Sequence, residues 1–362
     1  RKDTYETDSR NPEIEKASDL VTDLSRRDFT INSIAYSLET NELIDPFSGL
    51  KDLASGTIST PDDPIISFSD DPLRMLRVCR FASTHGFSPD NETYIAMKEN
   101  IERIKIITKE RIRDEINKLL VGKSPSMGIR TLVESGLSLY IIPEINELKI
   151  EVDPKHHHKD VYEHTLAVLD GVPPKLAIRM GALLHDIAKP NTKGIENGKV
   201  HFRHHEVVGA RMTKKILKGL KYDNKTIEDI ALLVEQHLRP HTFKMGWTDS
   251  AVRRYIVDAG HMLEDLNELV RADVTTKNKT KAKEIYENLD EMEKRIEEVK
   301  AKEELSKIRP ALSGDEIMEH FNIQPGPKVG VIMKALYEQR INDGEVSKED
   351  ALKLAEETYK NL

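Results

Sequence analysis

A mostly α-helical chain is predicted by three features of the sequence. Apolar residues recur at i, i+3 and i+4 over most of the length after residue 60. Glycines and prolines stand where helices start and stop. Strand-like runs are short and confined to the first 60 residues. At 362 residues the chain suits two or three domains, at ~100–200 residues each. Charged residues make up 33% and apolar ones 38%, a balance that favours solvated helices around modest cores.

Before the first helices, Ile31, Ile34, Ala35 and Leu38 in RRDFTINSIAYSL predict one apolar helical face. Leu43-Ile44 and Thr57-Ile58, set among Pro, Gly and Asp, predict strands and turns. From Pro61 to Leu139 helices follow one another. Asp71 to His85 carries Met75, Val78, Cys79 and Ala82 on one face, with Gly86 as a stop. Residues 143 to 278 are expected to be wholly helical, with Pro173-Pro174 opening a helix and Pro190 closing it. TKNKTKAKEIYENLDEMEKRIEEVKAKEELSK reads as one long exposed helix, and GDEIMEHFNIQPGPKVGVIMKALYEQ as two helices around a Pro-Gly turn.

The net charge of −8, from 55 basic and 63 acidic residues, excludes a coat of nucleic acid bound through a broad basic field. A local basic groove stays open. Cys79 is the single cysteine, so an internal disulfide and a cysteine-rich zinc site are excluded. No window holds the ~18 apolar residues of a membrane span, and no secretory signal opens the chain, so a cytoplasmic protein with no membrane partner is expected. P-loop and dinucleotide glycine motifs do not occur.

Two constellations could carry chemistry. The first is Arg26-Arg27-Asp28 with Asn32, then Asp45, Gly49 and Asp52, then Asp70-Asp71 with Arg74, Arg77 and Arg80. A helix carrying Asp71, Arg74, Arg77 and Arg80 at i+3 steps would present a slanting polar stripe. Such a stripe offers an acceptor and bidentate donors to a nucleotide base and cations to its phosphates, or simply forms salt bridges on an exposed helix. The second is His164, His185-Asp186, His205, His237 and Asp273. Burying His and Asp beside Ala182, Leu183, Leu184 and Ile187 is costly unless they are hydrogen-bonded or hold a metal. A satisfied core histidine pair would explain the dipeptide alone. The recurrence of histidines around it favours a divalent metal held by His164, His185, Asp186 and Asp273, with His205 and His237 completing a second position or orienting a phosphate. His156-His157-His158 reads as a surface loop, and Trp247 and Tyr255 as residues that pack or stack on a base.

In this order, these motifs resemble the bacterial CCA-adding enzymes, class II tRNA nucleotidyltransferases related to poly(A) polymerases, in the branch with a C-terminal HD domain. DLSRRDFTINSIAY, IDPFSGLKDL, DDPLRMLRVCRFASTHGF and ERIRDEINKLL are similar to four successive family motifs, and DVYEHTLAVL, ALLHDIAKP and FRHHEVVGA to its HD domain. The resemblance implies residues 1–60 as the C-terminal part of an α/β nucleotidyltransferase head, 61–142 as a helical neck, 143–280 as a helical HD domain and 281–362 as a helical tail. It implies CTP, ATP and tRNA as partners. Asp71 and Arg74 would read the base, Arg27, Arg77 and Asn32 would hold phosphates and sugar, and Asp28 the ribose hydroxyls. Asp70 stands where the family has Glu.

The family's Gly-Gly turn and the D-x-D pair that holds magnesium for transfer are absent from this sequence and are expected before Arg1. As given, the chain is expected to recognise nucleotide without transferring it. The HD centre would take manganese, nickel, cobalt or magnesium. The alternatives are an HD phosphatase or cyclic phosphodiesterase, a poly(A) polymerase of the same family, or an RNA-binding module without catalysis.

Overall fold

A computed structural model describes residues 2–4, 13–15, 19–150, 160–197, 199–276, 278–302 and 309–362. It is mostly α, as its sequence patterning predicts. The histidine run at 156–158 lies outside the described residues. The chain forms two compact units, one of residues 1–237 and 268–275, the other of 238–267 and 276–362.

In the first unit, strand β1 (Lys2–Thr4) pairs antiparallel with β2 (Glu13–Glu15). Helix α1 (Leu20–Ser25) follows, capped by Asp19, whose carboxylate accepts the Thr22 N–H. The helix expected over Ile31 to Leu38 is not formed. A single 3₁₀ turn (Thr30–Asn32) leads instead into β3 (Ala35–Ser37), paired with β4 (Glu42–Ile44). Ser33 explains the break, because its buried hydroxyl donates toward the Leu24 and Phe29 carbonyls at 2.9 and 3.0 Å and pins the turn. The segment after β4 holds a helix as well as turns, α2 (Gly49–Ser55), before β5 (Thr57–Ile58).

Next come α3 (Pro64–Asp70), α4 (Leu73–His85), β6 (Ser88–Pro89), α5 (Asn91–Glu99), α6 (Lys109–Leu120) and α7 (Pro125–Glu134). β5 and β6 pair in parallel. Gly86 ends α4 in the left-handed conformation, φ 74°. Asp71 does not lie on α4. It sits in the corner before it at φ −136°, since a residue preceding proline, here Pro72, is pushed out of the α region. α4 packs on α6 and α7 through Met75, Leu76, Val78, Cys79 and Ala82, all but sealed from solvent, against Ile112, Ile116, Leu119 and Leu132. Gly128 permits the approach, because a Cβ there would meet the Cys79 carbonyl oxygen at 2.8 Å.

Short α8 (Ser138–Ile141) and α9 (Glu144–Glu147) lead to the histidine-rich part, built from α10 (Val161–Gly171), α11 (Leu176–Leu184), α12 (Lys189–Thr192), α13 (His205–Gly219) and α14 (Asn224–Gln236). It is not wholly helical: β7 (Lys193–Glu196) and β8 (Lys199–Phe202) form a hairpin. Nor does Pro190 close α11. That helix ends at Leu184, and Pro190 lies in the first turn of α12, where its missing N–H costs nothing. α14 packs on α11 and α13.

The second unit contains α15 (Asp249–Ala259), the start of α16 (Leu263–Ala272), α17 (Lys279–Lys302), α18 (Gly314–Phe321), α19 (Pro327–Asp343) and α20 (Lys348–Lys360). α17 is not exposed all round, since it buries Leu289, Met292, Ile296 and Val299. Ser313 and Glu316 form a reciprocal capping box at the start of α18. Among the described residues no helix is long and apolar enough to cross a membrane.

Candidate nucleotide site and metal centre

The first constellation assembles around buried Asp28. Its Oδ1 accepts from Asn32 Nδ2 at 3.0 Å, and its Oδ2 lies 2.5 Å from the Arg77 guanidinium. Arg27 is exposed and donates to the Asn32 carbonyl at 2.9 Å. Thus four predicted residues come together, with the Asp28 carboxylate spent on holding Arg77 and Asn32. Asp71 and Arg74 are oriented separately. Arg74 donates to Ser67 Oγ at 2.7 Å and to the Arg26 carbonyl at 2.5 Å. Asp71 accepts the Leu73 N–H at 3.2 Å and faces Arg111 at 3.8 Å. Two of Arg74's five N–H groups are thereby used, and the rest stay available to a ligand.

The IDPFSGLKDL segment turns out to be a clip beneath this cluster. Asp45 accepts the N–H groups of Gly49 and Leu50 at 2.7 and 2.9 Å, and Thr30 donates to Asp52 at 2.6 Å. Gly49 lies so close to the 3₁₀ turn that an added Cβ would stand 2.2 Å from the Thr30 oxygen. Sequence reasoning passed over Glu115 on α6, buried and 3.3 Å from Arg80 Nε. Its i+3 relation to Lys118 was the available signal, but that pattern marks exposed pairs too.

The second constellation converges completely, all within the first unit. His185 and Asp186 occupy the turn after α11, His164 lies on α10, His205 opens α13, His237 follows α14, and Asp273 follows α16. His164 Nε2 is 2.9 Å from Asp273 Oδ1, 3.2 Å from His185 Nε2 and 3.4 Å from Asp186 Oδ2. On the other side of the same carboxylate, Asp186 Oδ1 lies 3.3 Å from His205 Nε2 and 4.0 Å from His237 Nε2. His185, Asp186 and His237 are each 1% exposed.

The protonation pattern follows from the backbone. Nδ1 of His185, His205 and His237 lies 2.7–2.8 Å from the carbonyl three residues earlier, at Ala182, Phe202 and Val234. A carbonyl only accepts, so each Nδ1 carries a proton, and in the neutral ring Nε2 keeps a lone pair. Asp186 Oδ1, His205 Nε2 and His237 Nε2 are buried without a hydrogen-bond partner. Three orphaned buried atoms facing one another would be costly without a further ligand. Burial, aided by positive charge at His185, pushes His237 down to about 3, so it stays neutral. Burial alone would raise Asp186, but His185, His205 and Lys189 hold it well below the usual carboxylate range. Burial likewise opposes charge on His185, yet Asp186 and Asp273 raise it overall.

Oxygen and imidazole donors with lone pairs turned inward fit a divalent ion. His164, His185 and Asp186 form one candidate ligand set, and Asp186, His205 and His237 another. Two participants escaped the sequence reading. Lys189 places Nζ 2.6 Å from Asp186 Oδ2, and Thr275 lies 2.7 Å from His164 Nδ1. Lys189 was legible as i+3 from Asp186, whereas Thr275 is 111 residues from its partner.

These features define a helical protein that carries an arginine-rich cluster around Asp28 and a buried His/Asp cluster able to hold a metal ion. Three family models match: the poly A polymerase head domain over residues 1–59, the probable RNA and SrmB-binding site of polymerase A over 86–149, and the HD domain over 157–268. The A-adding tRNA nucleotidyltransferase of Deinococcus radiodurans is 31% identical over 335 residues, covering 89% of this chain and 75% of that protein. The CC-adding tRNA nucleotidyltransferase of Thermus thermophilus is 29% identical, covering 92% and 76%. Among solved structures, the Bacillus stearothermophilus CCA-adding enzyme in complex with CTP superposes with a TM-score of 0.63 at 22% identity, covering 99% of this chain and 78% of that one. The Thermotoga maritima CCA-adding enzyme complexed with tRNA gives 0.51 at 19%, covering 94% and 74%. The chain belongs to the tRNA nucleotidyltransferase and poly(A) polymerase family, in the branch that carries an HD domain.

Proposed function

We propose that the protein selects CTP and ATP for extension of tRNA 3′ ends, and that its HD centre is a divalent-metal phosphohydrolase. For the first activity the supporting geometry is the cluster of Arg27, Asp28, Asn32 and Arg77 beside Asp71 and Arg74. Arg27 and Arg77 are the cations for the phosphates. The free N–H groups of Arg74 and the carboxylate of Asp71 are the pair for the base edge. Magnesium for transfer would be held by a D-x-D pair, which this sequence does not contain, so the residues at hand fit the nucleotide and not the transfer metal. Binding is therefore the test suited to this chain. CTP and ATP titrated calorimetrically should bind, and Arg74→Ala should weaken both about tenfold or more, the loss of one bidentate base contact. Unchanged affinity would remove Arg74 from the site.

For the second activity one observation carries the reading: the Asp186 carboxylate lies between two sets of imidazoles whose Nε2 atoms point inward. When bound, a divalent ion supplies Lewis acidity toward a phosphoryl oxygen and a nucleophile at neutral pH. His164, His185, Asp186 and Asp273 would hold it, with His205 and His237 at a second position. The Nδ1 contacts to Ala182, Phe202 and Val234 fix ring orientation, and Lys189 fixes Asp186. Chelated protein reconstituted with manganese, nickel, cobalt or magnesium should hydrolyse a phosphomonoester or a 2′,3′-cyclic phosphodiester. Asp186→Asn should abolish that hydrolysis. Hydrolysis that survives the substitution would assign it elsewhere.

A further inference from the structure

The second unit contains a cleft of about 480 Å³ that lies outside both sites described above. Its walls are Phe243, Lys244 and Trp247 from the turn before α15, and Asn288, Glu291, Lys294, Arg295 and Glu298 along one side of α17. Trp247 is fixed in place. Its Nε1 donates to Thr242 Oγ1 at 3.0 Å, and its ring meets Phe243 edge-on at 5.7 Å and Tyr255 at 5.3 Å. Tyr255, which the sequence suggested as a second stacking residue, is fully buried and donates to Asn267 at 2.7 Å. Half-buried Trp247 is thus a rigid aromatic wall whose polar atom is already satisfied within the protein.

The charges around it are not equivalent. Arg295 is committed to Asp249 and Glu298. Lys244 and Lys294 are exposed, and among the described residues neither forms an ion pair. Glu291 is exposed on the same helix side, three residues after Asn288. A fixed aromatic plane, two uncommitted cations and a carboxylate with a neighbouring amide suit a planar base bearing a phosphate. The volume lies within the ~300–1,000 Å³ typical of small-ligand clefts.

We propose that this cleft is a second nucleotide site. The base stacks on Trp247, Glu291 accepts from an exocyclic amino group, and Lys244 and Lys294 receive the phosphate. Adenine and cytosine carry such an amino group and uracil does not. The same chemistry is offered by a free mononucleotide and by an unpaired nucleotide of an RNA strand.

Trp247 is the sole tryptophan of the chain, so its fluorescence reports on this cleft and not on the arginine cluster of the first unit. AMP, CMP, UMP and a single-stranded oligoadenylate are titrated separately into the full chain. Saturable quenching by AMP and CMP, with weaker binding of UMP, is the expected result. Quenching by the mononucleotides identifies a free nucleotide as sufficient, whereas quenching by the oligonucleotide alone identifies an RNA strand as the source; either supports the site. Lys244→Gln with Lys294→Gln should weaken binding about tenfold through loss of two phosphate contacts. Arg74→Ala should leave the quenching unchanged. Circular dichroism of the double variant checks its fold, and Lys294→Gln alone serves if it misfolds. No saturable quenching up to millimolar ligand, or quenching indifferent to both lysines, would overturn the site. Equal affinity for AMP, CMP and UMP would overturn the role given to Glu291.

Discussion

Replacing Asp186 by Asn removes one charge from the His/Asp centre and leaves its volume unchanged. The carboxylate serves both imidazole sets, with Oδ2 3.2 Å from His185 and 3.4 Å from His164, and Oδ1 3.3 Å from His205. A single substitution therefore disables both, whereas His237→Ala touches one. An ion at about 100 times its dissociation constant stabilises the folded state by ~2.7 kcal/mol. For a domain of about 200 residues that corresponds to a rise of ~5–11 °C in the unfolding midpoint, at ~2–4 °C per kcal/mol. The substitution also costs stability without metal, because Lys189 Nζ loses an ionised acceptor 2.6 Å away. Comparing each protein with and without metal cancels that cost. The assay is differential scanning fluorimetry of chelated protein against manganese, nickel, cobalt and magnesium, alongside metal content by mass spectrometry. The native chain should gain the full increment, His237→Ala part of it, and Asp186→Asn none. An Asn variant that keeps the whole increment would refute a metal held through Asp186.

The centre should also respond to pH. Against burial, which lowers it, Asp186 and then Asp273 hold His185 above the ordinary ~6.5 of histidine, so protons compete with metal there beyond that value. Metal affinity should climb as pH rises through the raised value and then level off; an affinity flat from pH 6 to 9, at about the ordinary histidine range and above, would contradict the assignment. In the metal-free protein the sign reverses, since the stability contributed by protonated His185 is present at low pH and lost as pH rises through its folded value. Arg77→Ala leaves the buried Asp28 carboxylate without its cation, and with Arg77 a third exposed the cost should be about 1–3 kcal/mol by urea unfolding. Gly49→Ala forces a methyl onto the Thr30 oxygen and should cost about 1–3 kcal/mol, read from the shift of the urea midpoint.

The convergence of the histidines and aspartates was the most legible part of the chain. Histidine and aspartate among apolar neighbours are costly to bury, and that cost is visible in LLHDIAKP without coordinates. The helix over Leu73–His85 was equally legible, because the burial of Met75, Val78, Cys79 and Ala82 follows from their spacing. Local hydrogen bonding then redirected segments that periodicity alone had made helical. Ser33 bonds back to two carbonyls and breaks the expected helix at Ile31, and Pro72 expels Asp71 from α4, so the slanting stripe begins at Arg74. Spacing along one helix could not reveal that the Asp28 carboxylate, which accepts from nearby Asn32, also holds Arg77, or that Arg80 rests on Glu115, because in each of those two pairs the partners are far apart in the chain. The sequence by itself determined which side chains needed partners. The tertiary structure decided which partners they received, since distances of 3 Å between residues a hundred positions apart are set by how the helices pack and by nothing local in the chain.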